Sequence, residues 1–413
     1  MKNKIGTGLI LGTSGASKNA RHASPLAGEL SGPHACGVAL EPAPRTRRLK
    51  TLTALALAAA LAIPQALAPS SAQAAPPARP GPKDIADRPS QVRGDEITPA
   101  QQVAVEKGLA WLAKKQSGDG SFNTGMQGYS NHAGITALAG LAFMQAGNLP
   151  GRGKYGKEVK NCLDFVLNSC QESGLIASDA SQGPMYGHGF ATLFLGEVYG
   201  MTGDEAVKEK LQKAVKLIEK TQNPEGGWRY QPAPYDADIS VTICQVMALR
   251  AARDAGIKVE KEVIDKSIKY VRRCQNPDGG FSYMAAQGGG GGSGYPRSAA
   301  GVAALYYAGI FEGTDLERGL HYLEQFTPGR GGGLNEGHYF YGYYYGTQAM
   351  FLAGGKYWET FYPAIRDELI KKQGGGDHWN GDFSEDYATA MALIILQMPN
   401  RYLPVYSGKG PGS

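Results

Sequence analysis

One sixteen-residue phrase recurs in this chain: KGLAWLAKKQSGDGSF from Lys107, KAVKLIEKTQNPEGGW from Lys213 and KSIKYVRRCQNPDGGF from Lys266. Weaker copies read VKNCLDFVLNSCQESGL, RGLHYLEQFTPGRGG and IRDELIKKQGGGDHW, the second with Thr327 where the others carry glutamine. The marker positions 116, 171, 222, 275, 327 and 373 stand 55, 51, 53, 52 and 46 residues apart. A period of about fifty residues marks a supersecondary unit that buries its apolar face only against its neighbours.

Each unit holds two helical patterns. The first is amphipathic, with Lys and Glu on one face, and the Asn-Pro-x-Gly-Gly turns end it because Pro and paired Gly cannot continue a helix. The second is nearly uncharged and rich in small residues, as in HAGITALAGLAFMQAG and SAAGVAALYYAGI. A helix apolar all round is buried all round. The pattern therefore predicts an all-α (α/α)6 toroid, with six apolar helices as an inner barrel and six charged ones as an outer ring. An open solenoid of the same pairs would leave one face of the inner helices in water.

The folded domain is expected at 98–406, with a short tail at 407–413. The chain carries 42 Lys and Arg against 37 Asp and Glu. Residues 1–74 hold eight of the basic and two of the acidic residues, leaving 34 against 35. A neutral body offers no electrostatic reason for nucleic acid or an anionic membrane as partner. Arg45, Arg47, Arg48 and Lys50 precede the apolar run Leu52–Ile63, and Ala72-Gln73-Ala74 reads as a cleavage site. Residues 1–74 thus read as an export signal, with a possible over-extended start, and the chain as a periplasmic or extracellular protein beginning near Ala75. Residues 75–97 have the Pro/Ala-rich composition of a tether. No later apolar run approaches membrane-spanning length. Cys162, Cys170, Cys244 and Cys274 are expected as free thiols, because Cys170 and Cys274 fall at matching positions of repeats that are not neighbours.

Lys107, Gly108, Trp111, Leu112, Gln116, Gly120 and Phe122 resemble the QW repeat of triterpene cyclases, and the chain as a whole resembles the squalene-cyclase and protein-prenyltransferase superfamily. The resemblance covers the folded region and is far more specific for fold than for chemistry. It implies that Gln116, Gln222, Gln275, Trp228 and Phe281 tie repeats together. In such a ring all outer-to-inner connections lie at one end, so the six inner helices start there together, around the mouth of a central cavity.

The polar residues at those starts are His132; Tyr186 and His188; Asp236 and Asp238; Tyr295 and Arg297; His338 and Tyr339; Asp386 and Tyr387. Asp236-Ala237-Asp238-Ile239 resembles the Asp-x-Asp-Asp acid motif of squalene-hopene cyclases, which implies Asp238 as a proton donor supported by Asp236 and His188. Ile239 replaces the final acid, and both aspartates equally suit helix caps. A metal site from Asp236, Asp238 and His188 is a third possibility, although no cofactor is expected. His338 opens HYFYGYYYG, whose aromatics, with Tyr339 and Tyr343 foremost, are expected to line the cavity. The run Gly288–Gly292 reads as a flap or a neutral linker.

Three functions fit these residues. One is a cyclase-like enzyme on an apolar isoprenoid-type ligand, with substrate contacts from His132, Tyr186, Arg297, His338, Tyr339, Tyr343 and Asp386. Another is a carbohydrate-active lyase or hydrolase binding a glycan. The third is a binding or scaffold protein without chemistry, and in each case a monomer is expected.

Overall fold

A computed structural model of the chain describes residues 96–406, apart from 123–130, 179–182, 286–290, 331–336 and 382. The expected signal, the tether up to residue 95, the tail and glycines 288–290 lie outside the described residues. In chain order the helices are α1 (Pro99–Lys115), α2 (Ala133–Gln145), α3 (Gly156–Asn168), α4 (Met185–Thr202), α5 (Glu205–Thr221) and α6 (Ile239–Asp254). There follow α7 (Lys261–Arg273), α8 (Tyr295–Tyr307), α9 (Thr314–Glu324), α10 (Tyr339–Ala353), α11 (Gly355–Gln373) and α12 (Glu385–Leu396). β-Type pairing among the described residues is confined to isolated bridges, such as Trp228 with Asp238.

The even-numbered helices form the inner barrel. Every residue of α2 is buried, whereas α7 buries only Ile264, Ser267, Tyr270 and Val271. Each inner helix packs against the next, and α12 returns to α2. The ring is closed and the solenoid alternative falls, because α11 also packs on α1.

The repeated glutamine explains how the units join. Gln116 Nε2 donates to Gly120 O in its own turn (3.1 Å) and to Glu158 O in the next outer helix (3.0 Å). Gln222 repeats this with Gly226 O (3.0 Å) and Val263 O (2.8 Å), and Gln275 with Gly279 O (3.0 Å) and Asp315 O (2.7 Å). Gln373 donates to Ala104 O at 2.9 Å, so the same bond closes the last unit onto the first.

At the C-terminal ends of the inner helices a short turn packs against the barrel. The turn Pro404–Tyr406 packs on α4 and α6. Val405 N–H donates to the buried Glu197 carboxylate at 3.4 Å, and burial pushes that group up to about 8. Cys162, Cys170, Cys244 and Cys274 are free thiols, three of them buried.

Candidate functional site

The other end of the barrel is open. A cavity of about 690 Å³ sits where the inner helices begin. α2 lines it with His132, Gly134, Ile135 and Leu138, α4 with Tyr186, Gly187 and Phe190, α8 with Pro296, α10 with His338 and Tyr341, and α12 with Tyr387. The outer-to-inner connections add Tyr230, Gln231, Tyr283 and Phe383. Most of this wall is aromatic ring.

His132 caps α2, its Nδ1 accepting from Gly134 N–H (3.2 Å) and Ile135 N–H (3.4 Å). Burial lowers its pKa to about 4, so the ring is neutral and its second nitrogen carries the proton. A Cβ on Gly187 would stand 2.9 Å from His132 Cε1, so the missing side chain there makes room for the imidazole. Tyr186 lies against Tyr230 with ring centres 6.1 Å apart, and His338 stacks on Phe383 at 5.8 Å. His338 holds a left-handed φ of 71° at the N-cap of α10.

Asp238 does not reach the cavity. It is the N-cap of α6, accepting from Val241 N–H at 2.8 Å, and it has no solvent exposure. Its other oxygen makes no well-formed hydrogen bond and lies 3.7 Å from Arg229 Nε. Burial pushes its carboxyl up to about 6, against the pull of the Val241 amide, the Tyr283 hydroxyl and Arg229. Tyr283 and Tyr230, whose hydroxyls bond each other, stand in the wall that Asp238 was expected to occupy. Asp236 is exposed and ion-paired to Arg229. The Arg229 guanidinium covers the rings of Tyr230 (5.1 Å) and Tyr283 (5.9 Å).

His188 faces the outer layer. Its Nδ1 accepts from Ile176 N–H at 3.1 Å, and burial lowers its pKa to about 4. The repeat register explains the position. At the matching place Thr136 accepts from Phe122 N–H, Thr242 from Trp228 N–H, Ser298 from Phe281 N–H and Thr389 from Trp379 N–H, all at 2.8–3.1 Å. His188 is the second unit's version of that hydroxyl. The structure therefore does not bring Asp236, Asp238 and His188 together. Among the described residues no group of three His, Cys, Asp or Glu is placed to hold a metal ion.

Tyr339 and Tyr343 also point away from the cavity. Tyr339 donates to Glu368 at 2.6 Å and Tyr343 to Phe326 O at 3.2 Å, both toward the outer ring. One half-turn away, Tyr341 enters the cavity wall and donates to Ser240 O at 3.0 Å. Arg297 turns to the connecting loop, its Nη2 donating to Gly292 O at 2.8 Å. Asp386 is buried beside the wall rather than in it, and burial pushes its carboxyl up to about 6 against the pull of Lys115. The reading missed Phe190, Tyr230, Tyr283, Tyr341 and Phe383. A signal for two of them was present: Tyr230 and Tyr283 each stand two residues after the turn aromatic, Trp228 or Phe281.

Two family models match in succession, a prenyltransferase alpha-alpha toroid domain over residues 95–176 and a squalene-hopene cyclase C-terminal domain over 192–365. No curated protein matches the sequence. Among solved structures, an inactive variant of an alpha-1,6-mannanase of Salegentibacter in complex with alpha-1,6-mannotriose is similar at 10% identity and TM-score 0.56, covering 73% of this chain and 99% of that one. The cellobiose 2-epimerase of Spirochaeta thermophila matches at 14% and 0.55, covering 75% and 99%. A type II terpene cyclase from Scytonema in complex with geranylgeranyl dihydroxybenzoate matches at 12% and 0.51, covering 73% and 97%. At such identities the likeness is one of fold. No helix among the described residues is long and apolar enough to cross a membrane.

Proposed function

We propose that this chain, which belongs to the squalene-cyclase and prenyltransferase superfamily of α/α toroids, is an exported protein whose cavity holds one apolar, ring-containing or isoprenoid-type molecule. The wall of Tyr186, Phe190, Tyr230, Tyr283, Tyr341, Phe383 and Tyr387 carries this reading. The volume suits a ligand of ordinary small-molecule size, for which pockets run about 300–1,000 Å³. Any chemistry on that ligand meets tyrosine hydroxyls and His132 first, with Asp238 acting from behind the wall. The same rings also suit stacking against sugars, and the hydroxyls of Tyr230 and Tyr283 at the rim favour a glycan as the second reading.

Calorimetry with a linear isoprenoid alcohol, a fused-ring triterpenoid and a mannooligosaccharide separates the two. The isoprenoid or triterpenoid should bind, and Phe190→Ala or Tyr341→Ala should weaken it about tenfold, the loss for one buried ring at about 1.5 kcal/mol. Binding of the oligosaccharide alone would transfer the site to the second reading. Export has its own test. Mass spectrometry of protein from the envelope or medium should find no peptide from residues 1–74, and an intact Leu52–Ile63 there would count against cleavage.

A further inference from the structure

The charges behind the aromatic wall do not balance. Arg229 is one cation facing two carboxylates, ion-paired to Asp236 and 3.7 Å from Asp238. The other ionisable groups around Asp238 are the hydroxyls of Tyr186, Tyr270, Tyr283 and Tyr341 and the thiols of Cys244 and Cys274, all neutral near pH 7. Two carboxylates against one guanidinium leave one negative charge in excess; Asp238, the buried one of the pair, has Arg229 Nε 3.7 Å from its second oxygen and the Tyr283 hydroxyl beside it. Three of those hydroxyls, on Tyr186, Tyr283 and Tyr341, belong to residues that also line the cavity. Aromatic rings carry negative charge on their π faces, which attract cations. Among the described residues the wall contains no Lys or Arg; its two histidines are His132, which burial keeps uncharged, and His338, which stacks on Phe383.

We propose that the molecule held in this cavity is an organic cation, a quaternary-ammonium-type head on an apolar body, seated on the tyrosine faces with Asp238 as its buried counter-ion. The inference rests on the cavity being a ligand site and adds the sign of the ligand's charge. Both attractions act in a partly dry site, where each is worth more than in water. Because burial pushes Asp238 up to about 6, it is ionised above that pH and neutral below it. A cation favours the ionised form, so its affinity rises as pH passes upward through about 6.

The test uses benzyltrimethylammonium and neopentylbenzene, its uncharged carbon isostere, neither of which titrates. With the full chain at pH 8, calorimetry should give the cation about tenfold higher affinity, shrinking to about threefold or less at pH 5. Asp238→Asn keeps the helix cap and should abolish most of that pH dependence. Arg229→Met should move the rise in cation affinity to higher pH, because Arg229 holds the Asp238 carboxyl down against burial, while leaving the isostere unchanged, which a merely damaged site would not do. Equal affinities for the two probes at pH 8, or a pH dependence that survives intact in Asp238→Asn, overturns the cationic ligand and leaves the apolar cavity standing. Failure of both probes where the isoprenoid or triterpenoid binds overturns this inference alone; failure of all these ligands removes the cavity reading as well.

Discussion

Gly226→Ala should destabilise the domain by about 3–5 kcal/mol, among the largest effects available to one methyl group. Gly226 sits in the turn between Gln222 and Trp228 at φ 102°, a region that costs any other residue about 1–2 kcal/mol. A Cβ there would also stand 2.6 Å from the carbonyl carbon of Lys266 in the next outer helix, and backbone cannot rotate away as a side chain can. Gly120, Gly174 and Gly279 meet Asn161, Lys213 and Arg318 in the same way, at 2.8, 2.7 and 2.8 Å. The glycine is thus where one repeat rests on the backbone of its neighbour. Gly203 provides the control, because it has φ 71° with nothing near the added atom. Urea unfolding of both alanine variants separates backbone strain from overlap. If Gly226→Ala proves as mild as Gly203→Ala, the close approach between repeats is not what the glycine provides.

Asp238→Asn should make the protein more stable at pH 8, by as much as about 3 kcal/mol, and change little near pH 4. The sign follows from the carboxyl's surroundings. Burial raises Asp238 from the ordinary 3.8 to about 6, so between those values the folded protein holds a proton that the unfolded chain releases. Wild-type stability therefore falls as pH rises from about 4 to 6, and the full cost remains above 6. Asparagine caps a helix about as well as aspartate, so the bond to Val241 N–H persists while the buried charge disappears. Thermal melts at pH 4, 6 and 8 should show the two proteins diverging only as pH rises. A variant less stable than wild type at pH 8 would mean that attraction to Arg229 outweighs burial. The leftover negative charge proposed for ligand binding would then also be smaller than the geometry implies.

The ring was legible in the sequence because every element of it is repeated. The spacing of Gln116, Gln171, Gln222, Gln275, Thr327 and Gln373 set the unit, and the contrast between charged and uncharged helices set which layer each joins. Both are local periodicities, and a period is a property of the chain before it folds. Closure also followed, since six helices apolar on all sides have no open arrangement that keeps them dry.

The cavity wall was not legible in the same way, because the direction a side chain faces depends on the rotation of its helix against two neighbours. His188 reads as a catalytic histidine at the start of an inner helix, yet the register that places Thr136, Thr242, Ser298 and Thr389 on the turn amides places it there as well. In HYFYGYYYG some ring had to meet the cavity, and a half-turn decided for Tyr341 over Tyr339 and Tyr343. Asp238 was placed at the right helix start, but only the packing of Tyr230 and Tyr283 across it shows that it lies behind the wall. The sequence by itself determined the number of units, their layers and the end at which chemistry could gather. Which side chains stand in that opening, and which carboxylate is buried behind them, was settled by helix rotation and loop packing, which arise only when all six units are in contact.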